Sequence, residues 1–311
     1  MNAPLEQPPA ADPGDEPTPD AGAVAAPQPL GAILARTAQL DAAQIERVLA
    51  HQREHGMRFG EAVIALKYAS PDDVLFALAQ QFDYPTAAGD ARRAQTPELV
   101  TLVDPYARQA ESFRAIRSQL MARLWSSVPP AAGRARPALA VVSPASGDGK
   151  TFFAANLAIA LAQLGGRTLL VDADLRGPRQ HEVFALAQPG NGLAGLLAGR
   201  GERQPMQAVP GVPSLWVLPG GTTPPNPLEL VERPVFAQVL RAMTARFDHV
   251  VVDTPAHEFG ADGPVIASRC GAALIVARRH SSRVTSLQSL LAQMDGGATT
   301  VAGLVLNQFS G

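Results

Sequence analysis

At 311 residues the chain is long enough for two domains, each with its own core. A formal net charge of −2 excludes nucleic-acid binding driven by a basic face, and no apolar run approaches the roughly 18–20 residues of a membrane span. The single cysteine, Cys270, excludes an intrachain disulfide, and an acidic, Pro-rich start is unlike a signal peptide, so the chain is expected in the cytoplasm. Of the 26 basic residues only Lys67 and Lys150 are lysines. Where either cation would do, this chain uses arginine, so Lys150 marks a place that needs a compact ammonium.

Residues 1–28 hold seven prolines, five acids and no basic side chain. They cannot bury enough apolar surface to order themselves, which predicts a disordered tail. Residues 29–84 contain an internal repeat with an offset of 29: Leu30/Phe59, Gly31/Gly60, Leu34/Val63, Ile45/Val74, Leu49/Leu78 and Gln52/Gln81 coincide. Each copy predicts a short helix, a turn capped by Asp41 or Ser70, then a longer helix. Pro71 falls at a first helical position, where proline is tolerated. On the residues alone this is a small all-α docking module. Residues 85–105 are expected to be a linker.

From residue 106 onward the pattern alternates. "ESFRAIRSQLMARLW" is helical, "ALAVVS" (138–143) a strand, "KTFFAANLAIALAQLG" a helix and "RTLLVDAD" a strand. Further strands follow at "SLWVLPGG", "HVVVDTP", "AALIVA" and "VAGLVLN", with helices at "RPVFAQVLRAMTARF", "GPVIASRC" and "VTSLQSLLAQM". Continuous apolar strands alternating with helices predict an α/β fold, a doubly wound, mostly parallel sheet covered on both faces.

Between the first of these strands and its helix lies "SPASGDGKT", residues 143–151. It ends as a phosphate-binding loop does, in Gly149-Lys150-Thr151, but has Pro144 where the usual first glycine stands. Strand before and helix after is the context such a loop requires. Gly147 and Gly149 allow close backbone approach to phosphates, Lys150 would neutralise their charge, and Thr151 would ligate Mg²⁺. "LLVDADLR" brings Asp172 and Asp174, with Arg176 beyond, to the carboxyl end of a second strand, and "VVVDTP" brings Asp253 to the end of another. Ligands of open parallel sheets bind at those edges, where carboxylates can hold Mg²⁺ or accept a hydroxyl proton.

These three segments resemble the Walker A, A′ and B motifs of bacterial tyrosine kinases, a family of deviant-Walker P-loop NTPases whose loop reads S-x-x-P-G-E-G-K-[ST]. The missing first glycine is then a family property. Ser146 replaces the family's proline and Asp148 its glutamate. "GLAGLLAG" (192–199) and "NPLELVERPVF" (226–236) are also similar to segments of that family. Glu111, Arg114 and Arg117 match its E-x-x-R-x-x-R oligomerisation motif. The resemblance covers 106–311 and comes nearest to the chain-length-determinant kinases of exopolysaccharide export. It implies an ATP- and Mg²⁺-dependent protein-tyrosine kinase, with Lys150, Asp172, Asp174 and Asp253 catalytic. It also implies that Ser146 through Phe152 and Arg176 hold the nucleotide, and that Thr151, Asp172 and Asp253 hold the metal. The implied partners are further copies of the chain, a separate transmembrane co-polymerase that would bring it to the inner membrane, and a protein-tyrosine phosphatase.

Residues 29–84 resemble a second family, the N-terminal domain of type II secretion and pilus-assembly ATPases, some of which bind cyclic di-GMP. The matching positions are Leu30, Gly31, Gln52, Arg58, Gly60 and Gln81. Arg58 matches the motif arginine of the second copy, but Pro29 stands in the first. Cyclic di-GMP binding and a docking module of the same fold both remain open.

One feature strains the kinase reading. Kinases of this family usually carry a tyrosine-rich tail, whereas here only Tyr68, Tyr84 and Tyr106 occur. Tyr106, beside the oligomerisation helix, is the expected acceptor. Tyr68 and Tyr84 fit helical-domain packing. A spatial-switch ATPase of the ParA or MinD kind would carry a lysine early in the loop, and residues 143–149 have none. A binding component whose ATP site gates assembly with a co-polymerase, with little kinase turnover, is the third alternative.

Overall fold

The computed structural model describes residues 29–81, 96–125, 136–187, 190–200, 205–295 and 299–308. The tail expected over 1–28, residues 82–84 of the expected helical domain, Tyr84 among them, and residues 85–95 of the expected linker lie outside the described residues. The chain divides into two units, Met1–Ser70 and Pro71–Gly311.

In the smaller unit, α1 (Leu30–Thr37), α2 (Ala42–His55) and α3 (Phe59–Ala65) follow the repeat. Asp41 caps α2: its Oδ1 accepts from the Gln44 N–H at 2.7 Å, and the Gln44 side chain accepts from the Asp41 N–H at 2.9 Å. This reciprocal pair satisfies two N–H groups that the first turn leaves unpaired. Gly56, at φ 63°, ends α2 in the left-handed conformation that glycine adopts without strain. Val48, Ala62 and Val63 form the buried centre, with Phe59, Leu66 and Tyr68 packed against it. The Tyr68 hydroxyl accepts from Arg47 at 3.1 Å. The long helix of the second repeat copy, α4 (Pro71–Gln81), starts on its proline and falls in the larger unit.

The larger unit is a seven-stranded sheet. Its strands are β1 (Ala138–Val142), β2 (Thr168–Asp172), β3 (Gln207–Ala208), β4 (Leu215–Leu218), β5 (His249–Asp253), β6 (Gly271–Arg278) and β7 (Thr300–Asn307). They lie in the order β3-β4-β2-β5-β1-β6-β7. Every pairing is parallel except that of β3 with β4. Every residue of β1, β2 and β5 is buried, as expected of strands covered on both faces. Alternate side chains serve two cores. Leu139, Val141, Leu170 and Val251 join one; Ala140, Val142, Leu169 and Val252 join the other.

The first core is roofed by α5 (Val100–Val103), α6 (Arg108–Leu124) and α7 (Lys150–Ala162). On α7 nearly every side chain is buried, the polar Asn156 included; a helix apolar on all sides belongs in a core. The second core is covered by α10 (Pro227–Glu232), α11 (Pro234–Arg246), α12 (Asp262–Cys270) and α13 (Val284–Met294). Two short helices, α8 (Gln180–Val183) and α9 (Gly192–Leu197), fill the connection after β2. Among the described residues no helix is long and apolar enough to cross a membrane.

The linker expected over 85–105 differs in its second part. Leu99 and Leu102 are buried in the first core, and Thr101 is clasped by Asn156. The Thr101 N–H and hydroxyl both donate to Asn156 Oδ1, at 3.0 and 2.6 Å, and Asn156 Nδ2 donates to the Glu98 carbonyl at 2.8 Å. Residues 96–103 are a strap of the nucleotide-type domain because Asn156 offers their backbone the partners that water otherwise supplies.

Candidate functional site at the carboxyl edge of the sheet

β1 ends in the loop 143–149, which turns directly into α7. Gly147 (φ 77°) and Gly149 (φ 97°) are both left-handed. The turn needs glycine at 149 for a second reason: a Cβ there would run into the Asn307 amide. Asn307, at the end of β7, donates to the Asp148 carbonyl at 3.0 Å. The Asp148 side chain accepts from the Ala145 N–H at 2.9 Å and from the Ser282 hydroxyl at 2.7 Å. A third brace comes from the 3₁₀ turn His257–Phe259 after β5. The His257 and Glu258 N–H groups donate to the Ser143 and Pro144 carbonyls, and Glu258 Oε1 accepts from the Ser146 N–H at 2.6 Å. A proline at 146 has no N–H to give, so this last bond exists because the chain departs there from the S-x-x-P pattern.

The two acidic strand ends meet beside this loop. β2 and β5 pair in parallel, with Asp172 opposite Asp253. Both are almost completely buried. Asp172 Oδ2 accepts from the N–H groups of Arg179 and Gln180, each at 2.9 Å. Asp253 Oδ2 accepts from Gln180 Nε2 at 2.9 Å, and the same amide donates to the Thr151 carbonyl at 3.1 Å. The other oxygens, Asp172 Oδ1 and Asp253 Oδ1, are buried without a hydrogen-bond partner. Burial, then the charge of Asp253, holds the Asp172 carboxyl well above the usual carboxylate range. Burial pushes Asp253 up to about 6, against the lowering pull of Lys150, Gln180 and Thr151.

Two buried, mutually repelling carboxylates with unpartnered oxygens form a set that a hard divalent cation completes. Thr151, at the first turn of α7, stands on the same edge. The loop amides and the helix N-terminus above them suit phosphate. The residues present therefore fit both a nucleotide and Mg²⁺.

These groups open on a cleft of about 980 Å³, large enough for a cofactor-sized ligand. Ser146, Gly147, Gly149, Lys150, Thr151, Phe152, Asp174 and Arg176 line it. Asp148 does not: its buried side chain braces the loop. Asp172 and Asp253 are buried and do not line it either. Asp174 Oδ1 accepts from the Arg176 and Gly177 N–H groups at 3.2 and 3.1 Å, holding its turn in shape. Arg176 makes a two-pronged bond to the buried carboxylate of Asp262, at 3.2 and 3.0 Å, which orients the guanidinium.

Sequence reasoning missed several contributors. Glu98 lines the cleft and pairs with Arg179 at 2.6 Å. Gln180 bridges Asp253 to the loop helix, while Asn307 and Glu258 brace the loop. The terminal asparagine of "VAGLVLN" was a usable signal, because it ends a strand at the ligand edge. Nothing in the local sequence of Gln180 or Glu98 advertises its role.

Glu111, Arg114 and Arg117 lie on α6, outside the cleft lining. Arg114 pairs with Glu111 at 2.7 Å and donates to the Pro105 carbonyl at 2.7 Å. Arg117 donates to the Ala160 carbonyl of α7 at 2.8 Å. Tyr106 is 51% exposed, and its hydroxyl donates to the Leu75 carbonyl at 3.2 Å. In the smaller unit, Arg58 is exposed at the N-terminus of α3, Gly31 lies against the Phe59 ring, and Gly60 is buried. Leu30 and Gln52 are half-buried there, and Gln81 ends α4.

The comparisons with known proteins agree with this geometry. Residues 139–311 match the CobQ/CobB/MinD/ParA nucleotide binding domain. The tyrosine-protein kinase CpsD of Streptococcus agalactiae serotype Ia is 30% identical over 213 residues, 67% of this chain and 88% of that one. The tyrosine-protein kinase wzc of Salmonella typhi is 28% identical over 216 residues, 70% of this chain but only 29% of that one. Among solved structures, the kinase domain of Escherichia coli tyrosine kinase ETK superposes with a TM-score of 0.62 at 27% identity, covering 69% of this chain and 81% of that one.

Proposed function

This chain belongs to the bacterial tyrosine-protein kinases within the CobQ/CobB/MinD/ParA nucleotide-binding family, and on that premise we propose that it transfers the γ-phosphoryl group of ATP to tyrosine, its own tyrosine included, in the control of exopolysaccharide or capsule chain length and export. The observation that carries the reading is the pair of unpartnered buried oxygens that Asp172 and Asp253 bring to one sheet edge, where the Lys150 charge acts on Asp253.

The roles divide by exposure. The amides of 146–151 cradle the phosphates, and the Lys150 ammonium neutralises the charge that shifts toward the leaving oxygen. Asp172, Asp253 and Thr151 are the residues that would hold Mg²⁺, which when bound screens the phosphate oxygens from the attacking group. Of the two candidate bases, Asp172 is the less accessible, being buried with one oxygen tied to two backbone N–H groups. Asp174, on the cleft wall, is the carboxylate placed to accept the tyrosine proton. Arg176, oriented by Asp262, faces the same cleft and supports the transferred group.

Tyr106 is the proposed acceptor, reached in trans from a second copy. Association runs through α6. The proposed partner is a transmembrane co-polymerase that holds the chain at the cytoplasmic face of the inner membrane. A protein-tyrosine phosphatase would reverse the modification. For the N-terminal helices, Arg58 supports cyclic di-GMP as ligand, with protein docking as the alternative.

The test is incubation with ATP labelled in the γ position, followed by phosphotyrosine mapping. Label is expected on Tyr106, lost in Tyr106→Phe and absent in Lys150→Met. Lys150→Met should also lose the thermal stabilisation that MgATP gives the native chain. ATP-dependent association without any phosphotyrosine would replace the kinase reading by the ATP-gated binding component.

A further inference from the structure

The last two turns of α2 carry His51, Glu54 and His55. Positions i, i+3 and i+4 share one face of a helix. Their ligand atoms, imidazole nitrogens and a carboxylate oxygen, all lie within 4.8 Å of one another. The two rings stand 4.1 Å apart between centroids. Tetrahedral zinc with bonds of about 2.1 Å needs its ligand atoms roughly 3.4 Å apart. Glu54 and His55 are exposed and His51 half-buried, so small rotations of surface side chains close the difference.

Two further features suit a metal rather than a chance cluster. His55 Nδ1 lies 3.1 Å from the His51 carbonyl oxygen. A carbonyl only accepts, so this contact puts a proton on Nδ1, and in the neutral ring Nε2 is the nitrogen left to bind an ion. A backbone carbonyl on the far nitrogen is the usual outer partner of a metal-binding histidine. The cluster also sits at the end of α2, just before Gly56. Unpaired carbonyls there form the negative end of the helix dipole, which favours a cation.

We propose that His51, Glu54 and His55 form a binding site for one divalent transition-metal ion of the zinc or copper class. Two imidazoles and one carboxylate suit such ions and not Mg²⁺, which prefers all-oxygen sets such as Asp172 with Asp253. Three ligands from one helix leave a coordination position for water or for a donor from another molecule. The ion would tie the last two turns of α2 together, in the smaller unit and independently of the nucleotide cleft.

The test uses the untagged full-length chain in millimolar Mg²⁺, which keeps the cleft carboxylates occupied. Zinc is titrated in competition with a chromophoric chelator, and Co²⁺ serves as the spectroscopic probe. The native chain is expected to hold one more zinc per chain than His51→Gln/His55→Gln, and to give Co²⁺ d–d bands that the double variant lacks. Zinc should also shield His51 and His55 of the native chain from diethyl pyrocarbonate, mapped by mass spectrometry, a readout that needs no variant. Equal zinc stoichiometry in both chains, or equal modification of the two histidines with and without zinc, overturns the proposal.

Discussion

Asp253 shows what a ligand site costs the chain that carries it. Its carboxyl rises from 3.8 to about 6 because burial disfavours the charge. For an acid raised in the folded state, no penalty exists below its unfolded value, where both states are neutral. The penalty grows as pH rises from about 4 and is complete above about 6. A shift of two units is about 3 kcal/mol. Asp253→Asn keeps an oxygen to accept from Gln180 Nε2, which donates to Asp253 at 2.9 Å, but cannot ionise. Without ligand, this variant is expected to unfold at a higher temperature than the native chain at pH 8 and to match it near pH 4. It should gain nothing from MgATP. Thermal melts across that pH range check both parts, and a variant less stable at pH 8 would remove the electrostatic account of the site.

At the scale of elements, α6 carries two kinds of charge. Arg117 is committed inward, to the Ala160 carbonyl of α7. Glu111 is 69% exposed and Arg114 pairs with it at 2.7 Å. Arg114 is only 21% exposed and is also held by the Pro105 carbonyl at 2.7 Å, so Glu111 is the member whose removal costs a single chain little and whose carboxylate would meet an arginine of a second copy under the proposed association. Glu111→Ala is expected to move sedimentation toward monomer at equal concentration while leaving the melting temperature within a degree or two. Arg114→Ala and Arg117→Ala should lower stability instead, because each takes a donor from a backbone carbonyl. An unchanged sedimentation coefficient in Glu111→Ala would leave the motif as a solvated face. The elements also show why some structure was legible and some not. β1, β2, β5, β6 and β7 announce themselves as unbroken apolar runs, and the loop at 143–151 is fixed by residues adjacent in sequence. The strap at 96–103 has too few residues for a period to register, and its determinant, Asn156, lies 55 positions from Thr101. The same holds for the site. Lys150, Asp172 and Asp253 sit at strand ends and a helix start, whereas Gln180, Glu98 and Glu258 acquire meaning only through distant partners.

For the molecule as a whole, the question is whether the smaller unit adds a second signal to the kinase-type unit. The repeat is visible in its backbone. Pro29 precedes α1 with φ −62° and ψ 141°, and Arg58 precedes α3 with φ −76° and ψ 154°. The two positions are equivalent in conformation and differ only in side chain. Both φ values suit proline, and the Arg58 N–H is spoken for by Glu61 Oε2 at 2.8 Å. Cyclic di-GMP has two like halves, so a full site would use a cation at each position; here Arg58 alone can stack on guanine or pair with phosphate. One missing charge-assisted hydrogen bond is worth about 1.5–3 kcal/mol, roughly tenfold to a hundredfold in affinity. Calorimetry on the full chain is therefore expected to show weak binding, abolished in Arg58→Ala and strengthened by at least tenfold in Pro29→Arg. The gain in Pro29→Arg is the discriminating result, since a lost signal can come from misfolding but a gained one cannot. No heat from either the native chain or Pro29→Arg at high micromolar ligand would leave the helices as a docking module, and the search would pass to the protein that docks there.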